Sequence, residues 1–438
     1  MSSPGGAAGK LAAFLIAALW VIQEVLIVSR SEVLARWALV PLAVYCLCAF
    51  LIARASVRLV AAMAIGAAAA LVLHYGHGDS IVRGAQAGML FIAFLATIQL
   101  LRISIEANVR PEGDPGSADN PGAHVALLRS WLLATVFAAG AVALATSRVE
   151  TRPPGERRLL GQATLHGIGL ALLWSPFFVA MSLCTRLSRG VSLQAAVLNG
   201  LVMSLIGLGT CLVIYRSFPR PRELRTLSGA FFASAAMAVL VVALNAAWGV
   251  SNAQAIVLMM PVIAAALILH ATRGSPSEGA AHLRHWARSL QGIAPEALVV
   301  TVSLILGEVI NDLLGGGRFS VPAVLQALPV AAQIAWPAVV MAALAVLGFH
   351  PVIGASLLFP LQGSMSALDP VVAAASVMVG WMVGVLVSAF AIPIMFASTV
   401  FQVPAWRLVT GRGLRCVAAV VPMLWAYLWL LNAVLRGG

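Results

Sequence analysis

Trp174-Ser175-Pro176-Phe177-Phe178-Val179-Ala180-Met181-Ser182-Leu183 breaks an apolar run with a serine–proline pair, then resumes it with small residues and leucine. Phe349-His350-Pro351-Val352-Ile353-Gly354-Ala355-Ser356-Leu357-Leu358 does the same with a histidine–proline pair. Proline lacks a backbone donor and clashes with the turn before it, so a helix entering either stretch is interrupted. In lipid, backbone freed in this way must be covered by protein or line a wet cavity. The two stretches therefore predict helices broken at membrane depth. Broken helices at matching places in two halves mark the substrate sites of many secondary transporters.

The rest of the chain supplies the membrane. Of its 438 residues, 61% are hydrophobic and only 10% are charged, with a mean hydropathy of +0.98. A soluble protein of that composition would lack the polar residues to cover its surface. The net charge of +12 rests on arginine, since Lys10 is the only lysine, and the arginines sit in short links between apolar runs. That is the pattern of cationic cytoplasmic loops, not of a nucleic-acid surface. Cys46, Cys48, Cys184, Cys211 and Cys416 lie in or beside apolar runs, without metal-ligand spacing or a disulfide framework.

Twelve or thirteen apolar runs approach the roughly 20 residues that span a hydrocarbon core. They cover about 11–29, 34–54, 57–76, 82–102, 124–146, 160–184, 191–215, 228–248, 252–271, 294–314, 330–349, 369–390 and 414–435. The first reads as a retained helix, because no small-residue cleavage site follows it. The link 103–123 mixes Glu106, Arg110, Glu112, Asp114 and Asp119 with Pro and Gly, which predicts a solvated loop. The links 147–158, with Arg148, Arg152, Arg157 and Arg158, and 216–225, with Arg216, Arg220, Arg222 and Arg225, are expected on the cytoplasmic side, as is 272–292 with Arg273, Arg284 and Arg288. This last link divides the chain into an N-terminal half, 1–271, a linker, 272–293, and a C-terminal half, 294–438. Simple alternation then puts Arg407, Arg412 and Arg415 outside. Either the count of crossing segments is off by one, or one apolar run fails to cross, and 350–368, with Pro351, Gly354, Pro360 and Gly363, is then the natural re-entrant or half-length element.

Laying the two stretches on each other pairs Trp174-Ser175-Pro176 with Phe349-His350-Pro351, Ala180 with Ala355 and Leu183 with Leu358. After a short gap Val197-Leu198-Asn199-Gly200 falls on Val377-Met378-Val379-Gly380. This pattern resembles the ion-transporter superfamily of citrate, dicarboxylate, arsenite and sodium/proton carriers. The resemblance covers less than a fifth of the chain and lacks the Ser-Asn-Thr signature of the dicarboxylate branch. It implies two inverted repeats, each with a re-entrant hairpin and a broken helix, whose small polar residues and helix ends meet at a central anion site. The expected fold is accordingly all-α and polytopic.

The residues suit such a site. A half-helix restarting after Pro176 or Pro351 presents free N–H groups at its positive dipole end, and Ser175, Ser182, Asn199, Ser356 and Ser364 add neutral hydrogen bonds. Each serine has an alternative role in bonding its own or a neighbouring backbone. His350 either titrates near neutral pH or stays neutral and stabilises the helix end. Glu308, Asn311 and Asp312 share one helix face at i, i+3 and i+4, and acids at membrane depth usually face a pathway or a partner. Glu308 and Asn311, with His350, are the coupling candidates; Asp312 sits at the interface before Gly315-Gly316-Gly317. Glu24, beside Gln23, is expected to pair with another helix. His74, His77 and Asp79 lack a fourth ligand and read as a loop, so no metal or cofactor is expected.

No zinc helix, nucleophile elbow, Walker loop or dinucleotide fingerprint is present. The expected function is a permease of the bacterial inner membrane that moves a small organic anion by alternating access on a proton or sodium gradient. Its expected partners are that anion, the coupling ion, membrane lipids and, in one arrangement, a second copy of the chain. The alternatives are a polytopic enzyme acting on a lipid-linked substrate and a structural subunit of an export complex.

Overall fold

A computed structural model of the chain describes residues 6–76, 78–108, 122–137, 141–144, 152–216, 221–318 and 320–437. All regular structure among the described residues is helical. In chain order the helices are α1 (Ala7–Ser29), α2 (Glu32–Trp37), α3 (Leu39–Ile52), α4 (Ala55–Tyr75), α5 (Gly78–Glu106), α6 (Ala123–Phe137) and α7 (Ala141–Leu144). There follow α8 (Pro154–Leu172), α9 (Val179–Leu187), α10 (Leu193–Tyr215), α11 (Pro221–Trp248), α12 (Asn252–Ala271) and α13 (Pro276–Gly315). The last are α14 (Ala323–Gln326), α15 (Val330–Val346), α16 (Pro351–Gly363), α17 (Pro370–Val387), α18 (Ile392–Phe401), α19 (Ala405–Val409) and α20 (Arg412–Gly437).

Among the described residues nine helical spans, counting α2–α3 and α17–α18 as one each, are long and apolar enough to cross a membrane. The chain is an integral membrane protein. Shorter apolar helices occupy 123–136, 235–248, 330–346 and 351–363. At 13 residues α16 is about 20 Å long, too short for a hydrocarbon core of about 30 Å.

Helix starts follow the local chemistry. Ser31, Ser192 and Ser251 accept from backbone N–H groups three residues on, and Ser251 with Gln254 closes a capping box. Proline opens α8, α13, α16 and α17, where its missing N–H costs nothing.

The helices gather into two compact units, residues 1–117 with 250–319 and residues 118–249 with 320–438. Both take residues from either side of the division read at 272–293. That link is helix for most of its length, because α13 runs without interruption from Pro276.

In the first unit α13 packs along α5 and also touches α4, α1 and α3. The α5–α13 pairing is antiparallel. A Cβ on Gly84 would meet the backbone of Ile305, and one on Gly88 the side chain of Thr301, four residues back. Such close approach through small residues is how membrane helices gain contact without a hydrophobic driving force. Tyr45 Oη donates to Ala294 O at 2.7 Å, Trp286 Nε1 to Ala96 O at 2.9 Å, and Trp20 Nε1 to Thr97 Oγ1 at 3.0 Å.

In the second unit α6 packs on α8 and α15 on α17, while α8 crosses α17 and α10 lies against α20. The short helices interleave: α9 packs on α16 and α17, and α18 on α7 and α8.

Candidate functional site

The second unit contains two helix breaks built alike. Between α8 and α9, the Ser175 hydroxyl donates to Thr135 O on α6 at 2.5 Å and accepts from Phe177 N at 3.2 Å. Between α17 and α18, the Ser388 hydroxyl donates to Ala345 O on α15 at 2.5 Å and accepts from Phe390 N at 3.2 Å. One hydroxyl thus occupies an exposed backbone N–H and ties the break to the helix in front, as the absence of water in lipid requires.

The likeness extends along both helices. Eight residues before each serine stands a glycine, Gly167 or Gly380, pressed on the front helix. A Cβ on Gly167 would collide with Ser130 and with the Leu127 carbonyl, and one on Gly380 would meet the Pro337 carbonyl at 3.0 Å. The broken helices also meet each other: a Cβ on Gly169 would lie 3.0 Å from a Leu386 methyl. Ser175 is six residues beyond that crossing, about 9 Å along a helix, and Ser388 is two beyond it.

A hairpin faces the Ser388 break. α15 and α16 are joined by residues 347–350, and their far ends are clasped by hydrogen bonds. Gln362 Nε2 donates to Gln333 O at 2.6 Å and to Ser376 Oγ on α17 at 3.1 Å, while Trp336 Nε1 donates to Gln362 Oε1. At the turn Gly348 has φ +87°, which a side chain adopts only under strain, and a Cβ there would lie 3.9 Å from the Phe390 ring. His350 caps α16, its Nδ1 accepting from Val352 N at 3.3 Å, and Pro351 is the first residue of the helix.

This corrects the pairing read from the sequence. Ser175-Pro176 lies in a helix break and His350-Pro351 in a hairpin turn; the serine turn that matches Ser175 is at Ser388. A proline after a polar residue opens a helix at His350-Pro351 and Asp369-Pro370 but lies inside a break at Ser175-Pro176, so the pattern drew together two different kinds of element. The missed signal is Gly-x7-Ser-x-Phe, which stands at 167–177 and again at 380–390.

The breaks differ in cover. Ser175 and Phe177 are 0% and 1% exposed; Ser388 is 3% exposed but Phe390 is 65% exposed. Over the first break α10 presents Gly200, where a Cβ would overlap the Leu173 carbonyl. Its neighbour Asn199 accepts a hydrogen bond from Tyr427 Oη at 2.8 Å and lines, with Leu173, Cys184, Met203, Ala375 and Met378, a cavity with room for one water at most. Trp174 Nε1 is buried here without a hydrogen-bond partner.

Of the remaining predicted residues, Ser356 donates to Val352 O and Ser364 to Pro360 O. Both hydroxyls serve their own helix, so their bonding gives them no role at the breaks. Glu308 and Asn311 belong to the first unit, where Asp312 pairs with Arg83 at 2.8 Å and Arg318 donates to Tyr75 O. Glu24 was expected to pair with a neighbouring helix, but its Oε1 is buried without a hydrogen-bond partner. Among the described residues no group of three or more His, Cys, Asp or Glu is placed to hold a metal ion; His77 and most of 103–123 lie outside them. Compared with known proteins, the chain matches no family model and no curated relative.

Proposed function

We propose that this membrane protein is a secondary carrier that moves a small organic anion by alternating access on a proton or sodium gradient. The same proposal makes it a distant branch of the ion-transporter superfamily, in the bacterial inner membrane. The observation that carries it is the pair of identically bonded helix breaks in one compact unit, one of them facing a hairpin turn. The matched serines, the matched glycines and the shared crossing support an internal duplication in which α6–α10 corresponds to α15–α20.

The starts of α9, α16 and α18 open at these places. Each leaves N–H groups beyond the few that Ser175, Ser388 and His350 engage, and the helix dipole favours negative charge there. The lining side chains are neutral, so an anion would be held by hydrogen bonds weak enough to release it, with the unpaired Trp174 N–H as one more donor. In this reading Ser175 and Ser388 set the breaks, Pro176 lies within the first break three residues before α9, Pro351 starts α16, and Asn199 closes one side. His350 carries the coupling proton, with Glu308 and Asn311 as the ion-coupling pair of the first unit. One covered and one open break is what an asymmetric carrier state presents.

The test is uptake of radiolabelled mono-, di- and tricarboxylates into proteoliposomes under imposed proton or sodium gradients. Gradient-dependent accumulation of one of them, reduced at least tenfold in Ser175→Ala and Ser388→Ala protein of unchanged elution profile, supports the reading. Absence of accumulation across the panel, with no change in thermal stability on adding any of its members, overturns it.

A further inference from the structure

Five arginines crowd one end of the first unit. α4 ends at Tyr75, whose carbonyl accepts from Arg318 beyond the C-terminus of α13. At 21 residues α4 is about 31 Å long, so its start, with Arg54 and Arg58, lies at the other end, toward the N-terminal part of α13, which runs parallel to it. α12 finishes at that end too, because Asn108, just past α5, donates to Leu267 O at 2.9 Å, and Arg273 follows. Arg284 and Arg288 are on α13 itself, one turn apart.

Depth can be read from α5. Its residues 84–101 carry no charge, about 27 Å of helix between Arg83 and Arg102, close to the thickness of a hydrocarbon core. Trp286, between Arg284 and Arg288, turns inward and bonds Ala96 O, six residues short of Arg102. That bond turns Trp286 toward α5 about 9 Å below the level of Arg102, so Arg284 and Arg288 point away from α5 and their long side chains reach the level where hydrocarbon gives way to headgroups. Long cationic side chains in that position extend toward the interface.

Arg54, Arg58, Arg273, Arg284 and Arg288 are all exposed, and their guanidinium groups make no ion pair or hydrogen bond among the described residues. The nearby Arg102 is neutralised by Glu106 at 2.7 Å. At the opposite end Arg83 pairs with Asp312 and Arg318 with a carbonyl. Arg30 and Arg36, on either side of the start of α2, are also exposed without a side-chain partner, so the rim holds five of the seven such arginines among the described residues of the first unit.

We propose that this rim is a binding surface for anionic phospholipid headgroups, with Arg284 and Arg288 holding a lipid phosphate and Arg273, Arg54 and Arg58 enlarging the field around it. Cations clustered at the membrane surface draw anionic lipid headgroups to them. The surface operates whatever the second unit carries.

The test uses the full chain in neutral detergent, with phosphatidylglycerol, phosphatidylcholine or free glycerol 3-phosphate added, and follows thermal unfolding. Phosphatidylglycerol raises the midpoint by about 5 °C, and Arg284→Gln/Arg288→Gln protein loses more than half of that rise. Phosphatidylcholine and glycerol 3-phosphate leave the wild type unmoved. Equal stabilisation of wild type and double variant by phosphatidylglycerol, or of the wild type by phosphatidylcholine, overturns the proposal. A rise with glycerol 3-phosphate overturns it in favour of a soluble-anion site. Counting phosphatidylglycerol molecules retained by each protein in native mass spectrometry gives a second readout that does not depend on unfolding.

Discussion

The turn at Ser175 and the turn at Ser388 make the same two hydrogen bonds at the same distances, yet one is sealed and the other open. The bonds are local, dictated by a serine, the residue two on, and a carbonyl across a glycine-mediated contact. The cover is not local. It comes from α10, which lays Gly200 on the Leu173 carbonyl, whereas at the second break the hairpin turn reaches Phe390 only by its edge. Geometry of a break and access to it are therefore separate properties, the first set within ten residues and the second by helices distant in sequence.

The largest expected effect probes the cover. Gly200→Ala should cost about 3 kcal/mol, because a methyl has no room against Leu173 O and backbone must move. Gly348→Ala at the open break should cost only about 1 kcal/mol, the penalty of a left-handed alanine with space around it. Thermal unfolding in detergent measures both, and equal losses would break the contrast between sealed and open. Next come the front-helix contacts: Gly167→Ala should cost about 2 kcal/mol and Gly380→Ala about 1 kcal/mol. A reversed order would show that the depth of overlap on the front helix does not set the cost.

Removing the hydroxyls is expected to matter as much as filling these contacts. Ser175→Ala leaves Phe177 N and Thr135 O without their partner in a dry place, about 2 kcal/mol. Ser388→Ala leaves Phe390 N at an exposed residue, about 1 kcal/mol, and the same melting experiment tells the two apart. The smallest change is at the cap: His350→Ala should lose about 0.8 kcal/mol, and His350→Asn, which restores an acceptor for Val352 N, less than half of that. Parity between the two variants would remove the cap from the account of the turn.

Much of this was legible in the chain. Twelve of the thirteen apolar runs fall on the nine spans and on the shorter helices at 123–136, 235–248 and 330–346, because length and composition suffice to detect a helix in lipid; the run 160–184 is instead split into α8 and α9 at the Ser175 break. The short α16 was legible too, from its prolines and from the arginines that simple alternation would have put on the wrong side. The partner of Ser175 was not. Ser388-Ala389-Phe390 has no proline at the second position, and hydrophobic periodicity is silent on a serine that turns its hydroxyl to a neighbour. Nor could the sequence foretell that α12 and α13 would join α1–α5. That choice rests on Gly84 and Gly88 meeting Ile305 and Thr301, contacts more than two hundred residues apart.

The clasp of Gln362 on Gln333 and Ser376 has one further consequence. It ties α15 and α16 where they are farthest from their turn, and the bond from Ser388 to Ala345 O holds α15 again three residues before Gly348. The hairpin is thus a beam pinned at both ends of α15, so a load at its turn is taken up first by the Ser388 break and only then, through the length of α15, by the glutamines.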